Sequence, residues 1–454
     1  MSKQVEPAET QTKRKASSVR HTRAVQHDRA QRIASVPPDK EIEGWVEEII
    51  KPATYAQVNY FWKLGLRERT LTLPVMMALV LSMIWRQIST VGELVRTVQR
   101  ESMLWVTPRK LRPQAVSQRL DSLPAELFKQ VLDNVLPTLK QRWEDRQRPV
   151  PAEIGWARSH YQQVAICDGS TLDALVRRLG LLRNETTHPL AGRMTALLDL
   201  SSRLPINVWF DEDAQGHDLA FWQRVLSVLK AKALLIFDLG YTNFNHFADL
   251  TAREITFITR AKKNLSFQVE RVLQSSADVH DTLVWIGPAD NRQMVRLVEM
   301  LYRGLWYRYL TNELDVQRLP ADIVVALYRQ RWRIEDAYAI VKRLLGLAYF
   351  LSGSQNAIQM QLWATWILYA ILVDITDAVA AQLRQPIASI SMEMVYRGLY
   401  HYTSARSNGH TSDVILFLAE DAQSLGVLKR KRKPKRPEPE EDYLDRYMKS
   451  LTCD

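Results

Sequence analysis

Four side chains in the C-terminal third of the chain are suited to binding a phosphate chain and a cation together. Tyr328, Arg331, Glu335 and Lys342 lie in LYRQRWRIEDAYAIVKRLL, which has helical apolar spacing and no Gly or Pro before Gly346. Because a helix turns by about 100° per residue, offsets of three, seven and fourteen predict all four within about 60° of one face. This stretch alone is equally compatible with a solvated charged face containing an ordinary helical ion pair.

Two aspartates further upstream each follow a short apolar run that predicts a buried strand. QQVAICDGS places Asp168 at the end of one run, and KALLIFDLGY places Asp238 at the end of another. For either aspartate alone, a turn residue just beyond a strand is the simpler interpretation. Two such strand ends followed by a helix that carries Glu335 favour one site, because carboxylate oxygens are the ligands that hard divalent cations prefer.

The elements around these aspartates predict how they are positioned. GRMTALLDL and INVWF read as an antiparallel pair after the Asp168 strand, and two helix–strand units follow, giving the order β-β-β-α-β-α-β. The helix of Glu335 comes later. This order predicts a mixed α/β fold of the ribonuclease H-like type, with helices on both faces of the sheet and carboxylates on adjacent strand ends.

On these residues, the chain resembles the DDE transposases of bacterial insertion sequences in the class called the IS-four family. The family signature Y-x2-R-x3-E-x6-K matches residues 328–342 without a gap. The first Asp of the family lies in a DGS-like context, as Asp168 does, and the second in a D-x-G-Y context, as Asp238 does. FITR at 257–260 and YLTN at 309–312 also resemble family landmarks, and the resemblance spans about residues 65–375.

The resemblance implies a cut-and-paste DNA transposase that binds terminal inverted repeats and catalyses metal-dependent strand cleavage and strand transfer. The implied catalytic residues and metal ligands are Asp168, Asp238 and Glu335, which would hold two Mg²⁺ ions, with Mn²⁺ able to substitute. The implied DNA contacts on the helix are Tyr328, Arg331 and Lys342. Two alternatives stay open: a metal-dependent nuclease of the same fold, and a transposase-derived DNA-binding protein without catalytic activity.

A β-rich insertion is predicted at about 264–320, before the helix of Glu335, because three segments there alternate in strand fashion. In the family such an insertion carries an aromatic residue that stabilises a flipped base. Trp306 or Tyr307 is at a suitable offset for this role. A packed cross-strand aromatic is an equally good interpretation of Trp306.

The charge of the chain favours double-stranded DNA as the partner, both at the element ends and at the target. The chain has 61 Lys and Arg against 50 Asp and Glu, a net charge of +11, and the basic residues concentrate near both ends. We predict a disordered basic arm at 1–40, a helical DNA-end-binding domain at 41–150, and the ribonuclease H-like catalytic domain with its insertion at 151–380. C-terminal helices are predicted at 381–428 and a charged tail at 429–454.

Composition argues against several other classes of protein. The two cysteines cannot form a disulfide framework or a cysteine-based metal site, and the nine histidines have no ligand spacing. The apolar runs at 70–85 and within QLWATWILYAILVDITDAV are shorter than a bilayer span needs, and the N-terminus lacks a signal peptide. We therefore expect a cytoplasmic, nucleoid-associated protein with no membrane partner. The resemblance implies a homodimer in the synaptic complex.

Overall fold

The structure is a computed structural model. It describes residues 37–429, apart from 66–69, 89, 174–189, 214–217, 242, 303, 348–351, 353 and 411–412. Nearly all of the predicted basic arm and of the charged tail lies outside these residues.

A single nine-stranded mixed sheet forms the centre of the protein. Its strands in chain order are β1 Gln163–Asp173, β2 Leu190–Asp199, β3 Pro205–Asp211, β4 Ala233–Phe237, β5 Thr256–Arg260, β6 Phe267–Ser275, β7 Val279–Ile286, β8 Gln293–Tyr302 and β9 Leu305–Thr311. Their spatial order is β3-β2-β1-β4-β5-β9-β8-β7-β6. β1 pairs with β4 and β4 with β5 in parallel, and every other neighbouring pair is antiparallel. The predicted mixed α/β architecture is confirmed.

Helices cover most of this sheet. Before β1 lie α1 Glu43–Trp45, α2 Lys51–Ala56, α3 Val58–Lys63, α4 Leu73–Trp85, α5 Val91–Val98, α6 Pro113–Ser122, α7 Glu126–Asp145 and α8 Ala152–His160. Within the sheet region lie α9 Trp222–Val228 and α10 Phe244–Ala252. After β9 lie α11 Ala321–Arg329, α12 Arg333–Ala339, α13 Gln355–Gln382, α14 Met392–Ser407 and α15 Val414–Glu420. The predicted order β-β-β-α-β-α-β is present from β1 to β5.

The central strands of the sheet are buried on both faces, which is consistent with their nearly continuous apolar sequences. Val164 and Ile166 of β1 pack into the core that the N-terminal helices share with α11 to α13. Ala165 and Cys167 pack into a second core against α9 and α10. Since side chains alternate along a strand, Asp168 is expected to face the same side as Ile166, toward α11 and α12.

The four strands of the predicted insertion continue the same sheet. β9 pairs with β5 from Ile258↔Thr311 to Arg260↔Tyr309, and β8, β7 and β6 follow it outward. The outermost strand, β6, is largely exposed on both of its faces. The insertion therefore extends the sheet beside the strand that follows the Asp238 strand.

The long helix α13 corrects the prediction that its apolar run is too short for a bilayer. Gln355–Gln382 is long and apolar enough to cross a membrane by length and composition, and no other such helix occurs among the described residues. The helix is 89% buried inside the protein over its most apolar window, where it packs against α4 and α7. This burial is typical of a central core helix, because the surrounding elements cover every face.

Candidate active site

Asp168 and Asp238 lie side by side on neighbouring strands. The parallel pairing of β1 with β4 ends at Cys167↔Phe237, so each aspartate is the next residue along its strand. The sequence predicted that β1 ends at Asp168. In the structure β1 continues to Asp173 through its antiparallel pairing with β2. The parallel partner stops while the antiparallel partner continues, and this leaves the Asp168 side chain at an open corner of the sheet.

A buried arginine joins the two aspartates. Arg331 Nη1 donates to Asp168 Oδ2 at 3.0 Å, and Arg331 Nε lies 3.8 Å from Asp238 Oδ1. Arg331 is 6% exposed, and among the described residues its Nε has no hydrogen-bond partner. A buried donor left unpaired is costly, so this guanidinium is ready to bind another acceptor between the two carboxylates.

The electrostatic balance around Asp168 favours binding of a further cation. The pKa of Asp168 is raised to about 7, chiefly by burial of the carboxyl group; Arg331 and the Gly169 N–H oppose this rise, and the charges of Glu335 and Asp238 add to it. The Gly169 N–H donates to Asp168 Oδ1 at 2.8 Å. One guanidinium therefore does not fully compensate the carboxylates.

Tyr328 contacts the second aspartate. Its hydroxyl donates to Asp238 Oδ1 at 3.1 Å, and its ring lies against Tyr309 of β9 with centroids 5.1 Å apart. Burial raises the pKa of Tyr328, with the Asp238 charge as the next cause, so the phenol keeps its proton. The neighbouring Arg331 guanidinium lies 5.9 Å from the Tyr328 ring centroid.

The segment that carries these side chains is not one uniform α-helix, which corrects the prediction from spacing. A 3₁₀ turn, Gln330–Trp332, separates α11 from α12, and a π turn, Ile340–Leu344, follows α12. A 3₁₀ turn advances by about 120° per residue, so Glu335 is displaced by about 40° from its place relative to Arg331 in a regular helix. Gly346, with φ +75°, ends the segment.

Glu335 makes no hydrogen bond or ion pair with these residues that the structure describes. Its side chain is exposed, and it acts on Asp168 and Arg331 through its charge. Within the part of the chain that the structure describes, no three His, Cys, Asp or Glu side chains are grouped closely enough to hold a metal ion. Direct contacts therefore join Asp168, Asp238, Arg331 and Tyr328, whereas Glu335 is linked to them by its charge.

Lys342 reaches the same strand from the π turn. Its Nζ donates to Ser170 Oγ at 2.6 Å, two residues beyond Asp168. Lys342 and Arg331 thus approach β1 at neighbouring positions. Both are cations, and their spacing along the strand suits successive oxygens of a polyanion.

Trp306 and Tyr307 lie on β9 in different surroundings. Trp306 is 41% exposed and stacks on His280 of β7, with ring centroids 4.6 Å apart. Tyr307 is half-buried beneath the guanidinium of Arg260, at 5.4 Å. These partners lie outside the group of Asp168, Asp238, Arg331 and Tyr328. The base-contact role of either aromatic stays a prediction.

One buried tyrosine at the site was missed by the sequence reasoning. Tyr338 donates its hydroxyl to the Asp168 carbonyl oxygen at 2.6 Å. Its position could have been found, because it follows Arg331 by seven residues and Glu335 by three, which is the spacing of one helix face.

A family model matches the central region of the chain. Residues 185–371 match the model described as "Transposase DDE domain". This region is therefore similar to a transposase DDE domain. The matched range includes Asp238 and the segment from Tyr328 to Lys342, and it begins after Asp168.

Curated relatives of the chain are transposases by name, and two of the three are named for insertion sequence elements. The chain is 29% identical over 171 residues to "Putative transposase y4zB" of Sinorhizobium fredii (strain NBRC 101917 / NGR234), covering 35% of this chain and 47% of that protein. It is 23% identical over 166 residues to "Probable transposase for insertion sequence element IS5377" of Geobacillus stearothermophilus, covering 36% and 44%. It is 21% identical over 163 residues to "Putative transposase for insertion sequence element IS4SA" of Synechocystis sp. (strain ATCC 27184 / PCC 6803 / Kazusa), covering 35% and 46%. The chain thus spans less than half the length of each of these relatives.

A comparison of structures found a match to a cryo-EM structure of the piggyBac transposase synaptic complex with hairpin DNA. The match covers 88% of this chain and 86% of that chain, with a TM-score of 0.38 and 10% sequence identity.

Transposase DDE domains generally use divalent metal ions. Asp168 and Asp238 are two side chains of the type that binds such an ion, since both carry hard oxygen ligands and both approach the same guanidinium. The raised pKa of Asp168, caused first by burial, shows that Arg331 and the Gly169 N–H do not fully stabilise the charged carboxylate. The contribution of Glu335 to such a site stays a prediction.

Proposed function

We propose that this protein is a cut-and-paste DNA transposase that cleaves at the ends of its own element and joins the released 3′-hydroxyl to target DNA. The observation that carries the proposal is the buried Arg331 between Asp168 and Asp238, with its Nε unpaired among the described residues. The DDE domain match over 185–371 supports it.

The fold is proposed to be ribonuclease H-like over its central strands. The support is the order β3-β2-β1-β4-β5, in which β1 to β3 are antiparallel neighbours and β1, β4 and β5 run parallel. In such a sheet, carboxylates just beyond the last parallel pair of β1 and β4 converge on one edge.

Asp168 and Asp238 are proposed to hold divalent cations together with Glu335, whose helix lies across the same edge of the sheet. We expect two Mg²⁺ ions, replaceable by Mn²⁺. Such ions would lower the pKa of bound water and neutralise charge on the leaving oxygen. The other residues of the site would then bind and orient the phosphodiester.

Arg331 is proposed to bind the scissile phosphate. Its guanidinium is already oriented by Asp168, and its unpaired Nε can donate to a phosphate oxygen. Tyr328, whose hydroxyl is held at Asp238, can turn its donor to a second phosphate oxygen. Lys342, beside Ser170, would contact the next phosphate as a point charge.

The partner is proposed to be double-stranded DNA, both at the element ends and at the target, with two protomers in the synaptic complex. The net charge of +11 supports a polyanionic partner. Helices between 41 and 150 are proposed to bind the element ends, and the protein is proposed to act in the cytoplasm at the nucleoid.

A cleavage and joining assay on the element's terminal repeat tests this function. Asp168→Asn, Asp238→Asn and Glu335→Gln should each reduce Mg²⁺-dependent cleavage by at least about a hundredfold while end-DNA binding survives. Asp336→Asn is the matched control, because Asp336 is the exposed neighbour of Glu335 and pairs with Arg333 instead of the site.

The outcomes separate the proposed function from its alternatives. A joined product from the wild-type protein supports a transposase, whereas cleavage without joining indicates a nuclease. No cleavage with either Mg²⁺ or Mn²⁺, but firm binding to end DNA, indicates a non-catalytic DNA-binding protein. Cleavage that persists in all three acidic-residue variants would refute the site.

A further inference from the structure

A tyrosine hydroxyl bridges two strands and the helix at the position of Asp168. Tyr338 donates to the Asp168 carbonyl oxygen at 2.6 Å and accepts from the Ala196 N–H at 3.2 Å. Asp168 and Ala196 face each other across the antiparallel pairing of β1 with β2. One hydroxyl of α12 therefore bonds both strands at the residue pair that contains the aspartate.

The surroundings of Tyr338 hold this hydroxyl in place. The residue is 3% exposed, and its ring meets Trp366 of α13 edge-on at a centroid distance of 6.3 Å. The Nζ of Lys342 lies 5.9 Å from the same ring centroid. Burial raises the pKa of Tyr338 well above its usual value, with the Asp168 charge as the next cause, so the phenol stays protonated and keeps donating.

Asp168 is thus held in two ways that depend on different atoms. Arg331 and the Gly169 N–H bind the carboxylate, whereas Tyr338 binds the backbone of the same residue. Tyr338 lies three residues after Glu335, on the same short helix α12. The phenol of Tyr338 therefore connects the Asp168 backbone directly to the helix that carries Glu335.

We propose that Tyr338 is a positioning residue for the proposed metal site: its hydroxyl fixes the Asp168 backbone against the α12 turn of Glu335, so that the carboxylates can share a divalent cation. This inference rests on the proposed function. Partners that orient metal ligands without touching the metal typically contribute 10- to 100-fold to metal affinity, which sets the expected size of the effect.

The variant that isolates this role is Tyr338→Phe, which keeps the buried ring and removes both hydrogen bonds of the hydroxyl. Tyr369→Phe is the matched control. Tyr369 is also buried, also meets Trp366 edge-on, and donates its hydroxyl to a backbone carbonyl, that of Arg203. Both variants lose a buried tyrosine hydroxyl in one core, but only the first loses contact with Asp168.

The measurements are Mn²⁺ binding to the full chain without DNA, followed by electron paramagnetic resonance, and the Mn²⁺ concentration that gives half-maximal cleavage of end DNA. We expect Tyr338→Phe to weaken Mn²⁺ binding at least about tenfold and to raise the half-maximal concentration in parallel. End-DNA affinity in EDTA should be unchanged. Tyr369→Phe should bind Mn²⁺ as the wild type does, even where its melting temperature falls as far as that of Tyr338→Phe.

Replacement of Tyr338 by 4-aminophenylalanine provides a rescue, because it restores a donor at the same ring position. Recovery of Mn²⁺ affinity supports the proposal even where Tyr338→Phe is less stable. Wild-type Mn²⁺ affinity in Tyr338→Phe, or an equal loss in Tyr369→Phe, overturns it. Failure of the proposed function looks different: the wild type would then not cleave end DNA, while the Mn²⁺ affinities of the variants would still report on Tyr338.

Discussion

At the scale of single residues, the decisive feature is a cation that is buried between acids instead of paired at the surface. Arg331 is almost fully buried, yet it satisfies Asp168 directly and leaves its Nε 3.8 Å from Asp238. A buried guanidinium nitrogen without a hydrogen-bond partner also occurs at Arg148, which pairs with Asp377 away from this site. What distinguishes Arg331 is its position between the carboxylates of Asp168 and Asp238.

Arg331→Gln should therefore reduce DNA cleavage by about 100- to 1,000-fold, the effect of losing one well-placed donor to a transition-state anion. The matched control is Arg333→Gln, two residues further along at the start of α12, since Arg333 bonds Gln330 and Asp336 outside the site. Single-turnover cleavage rates at saturating DNA provide the measurement. Equal losses in both variants would show that the helix needs its charge in general, not this guanidinium between the aspartates.

At the scale of elements, periodicity predicted which strands and helices form but not how they deviate from ideal geometry. The apolar runs ending at Phe237 and Cys167 are buried strands, because only such runs can be covered on both faces. The extension of β1 to Asp173 was not visible, since DGST is equally suited to a turn. The 3₁₀ and π turns around α12 were hidden for a similar reason. Both turns are made of residues that also occur in regular helices, so the sequence pattern does not distinguish them from α-helix.

A buried ion pair in the insertion connects β7 and β8 to the loop that leads into α11. Arg296 and Asp281 are 0% and 1% exposed and form two hydrogen bonds, one of them 3.0 Å long. Arg296 Nη1 also donates to the carbonyl oxygens of Glu313, Asp315 and Leu319. The insertion thereby fixes the approach to the helix that carries Tyr328.

Arg296→Met should lower the free energy of unfolding by about 3–5 kcal/mol, because Asp281 would remain as an uncompensated buried charge. The double variant Arg296→Met/Asp281→Leu should recover much of this loss, since it removes the stranded carboxylate. Urea unfolding followed by tryptophan fluorescence measures both. If the double variant is as unstable as the single one, the bonds from Arg296 to the loop carbonyls dominate instead of the charge pair.

At the scale of the whole molecule, the N-terminal helices are part of the same core as the site. Residues from α4 and α7 pack against α13, and α13 in turn contacts Tyr338 through Trp366. A surface groove of about 470 Å³ lies along α6 and the segment before it, and its cationic lining residues are Lys110, Arg112 and Arg119. No acidic residue lines it within the described part of the chain, and Arg119 Nη2 is buried there without a hydrogen-bond partner. This groove is the best-supported surface for the proposed contact between helices 41–150 and element ends.

The charge-reversal variant Lys110→Glu/Arg112→Glu should weaken end-DNA binding and lower the dependence of affinity on salt. For B-DNA, log K falls against log salt with a slope of about −0.9 per neutralised phosphate, so losing two contacts should reduce the slope by about 2. Lys230→Glu is the control, because Lys230 is an exposed cation that lines a different groove, where the acids Asp133, Glu144 and Asp199 also lie. The wild type, the double variant and Lys230→Glu are compared by fluorescence anisotropy of labelled end DNA. Salt is varied from about 50 to 200 mM, the range over which phosphate contacts change affinity strongly. An unchanged slope in the double variant, or an equal change in Lys230→Glu, would show that DNA follows another path across this basic protein.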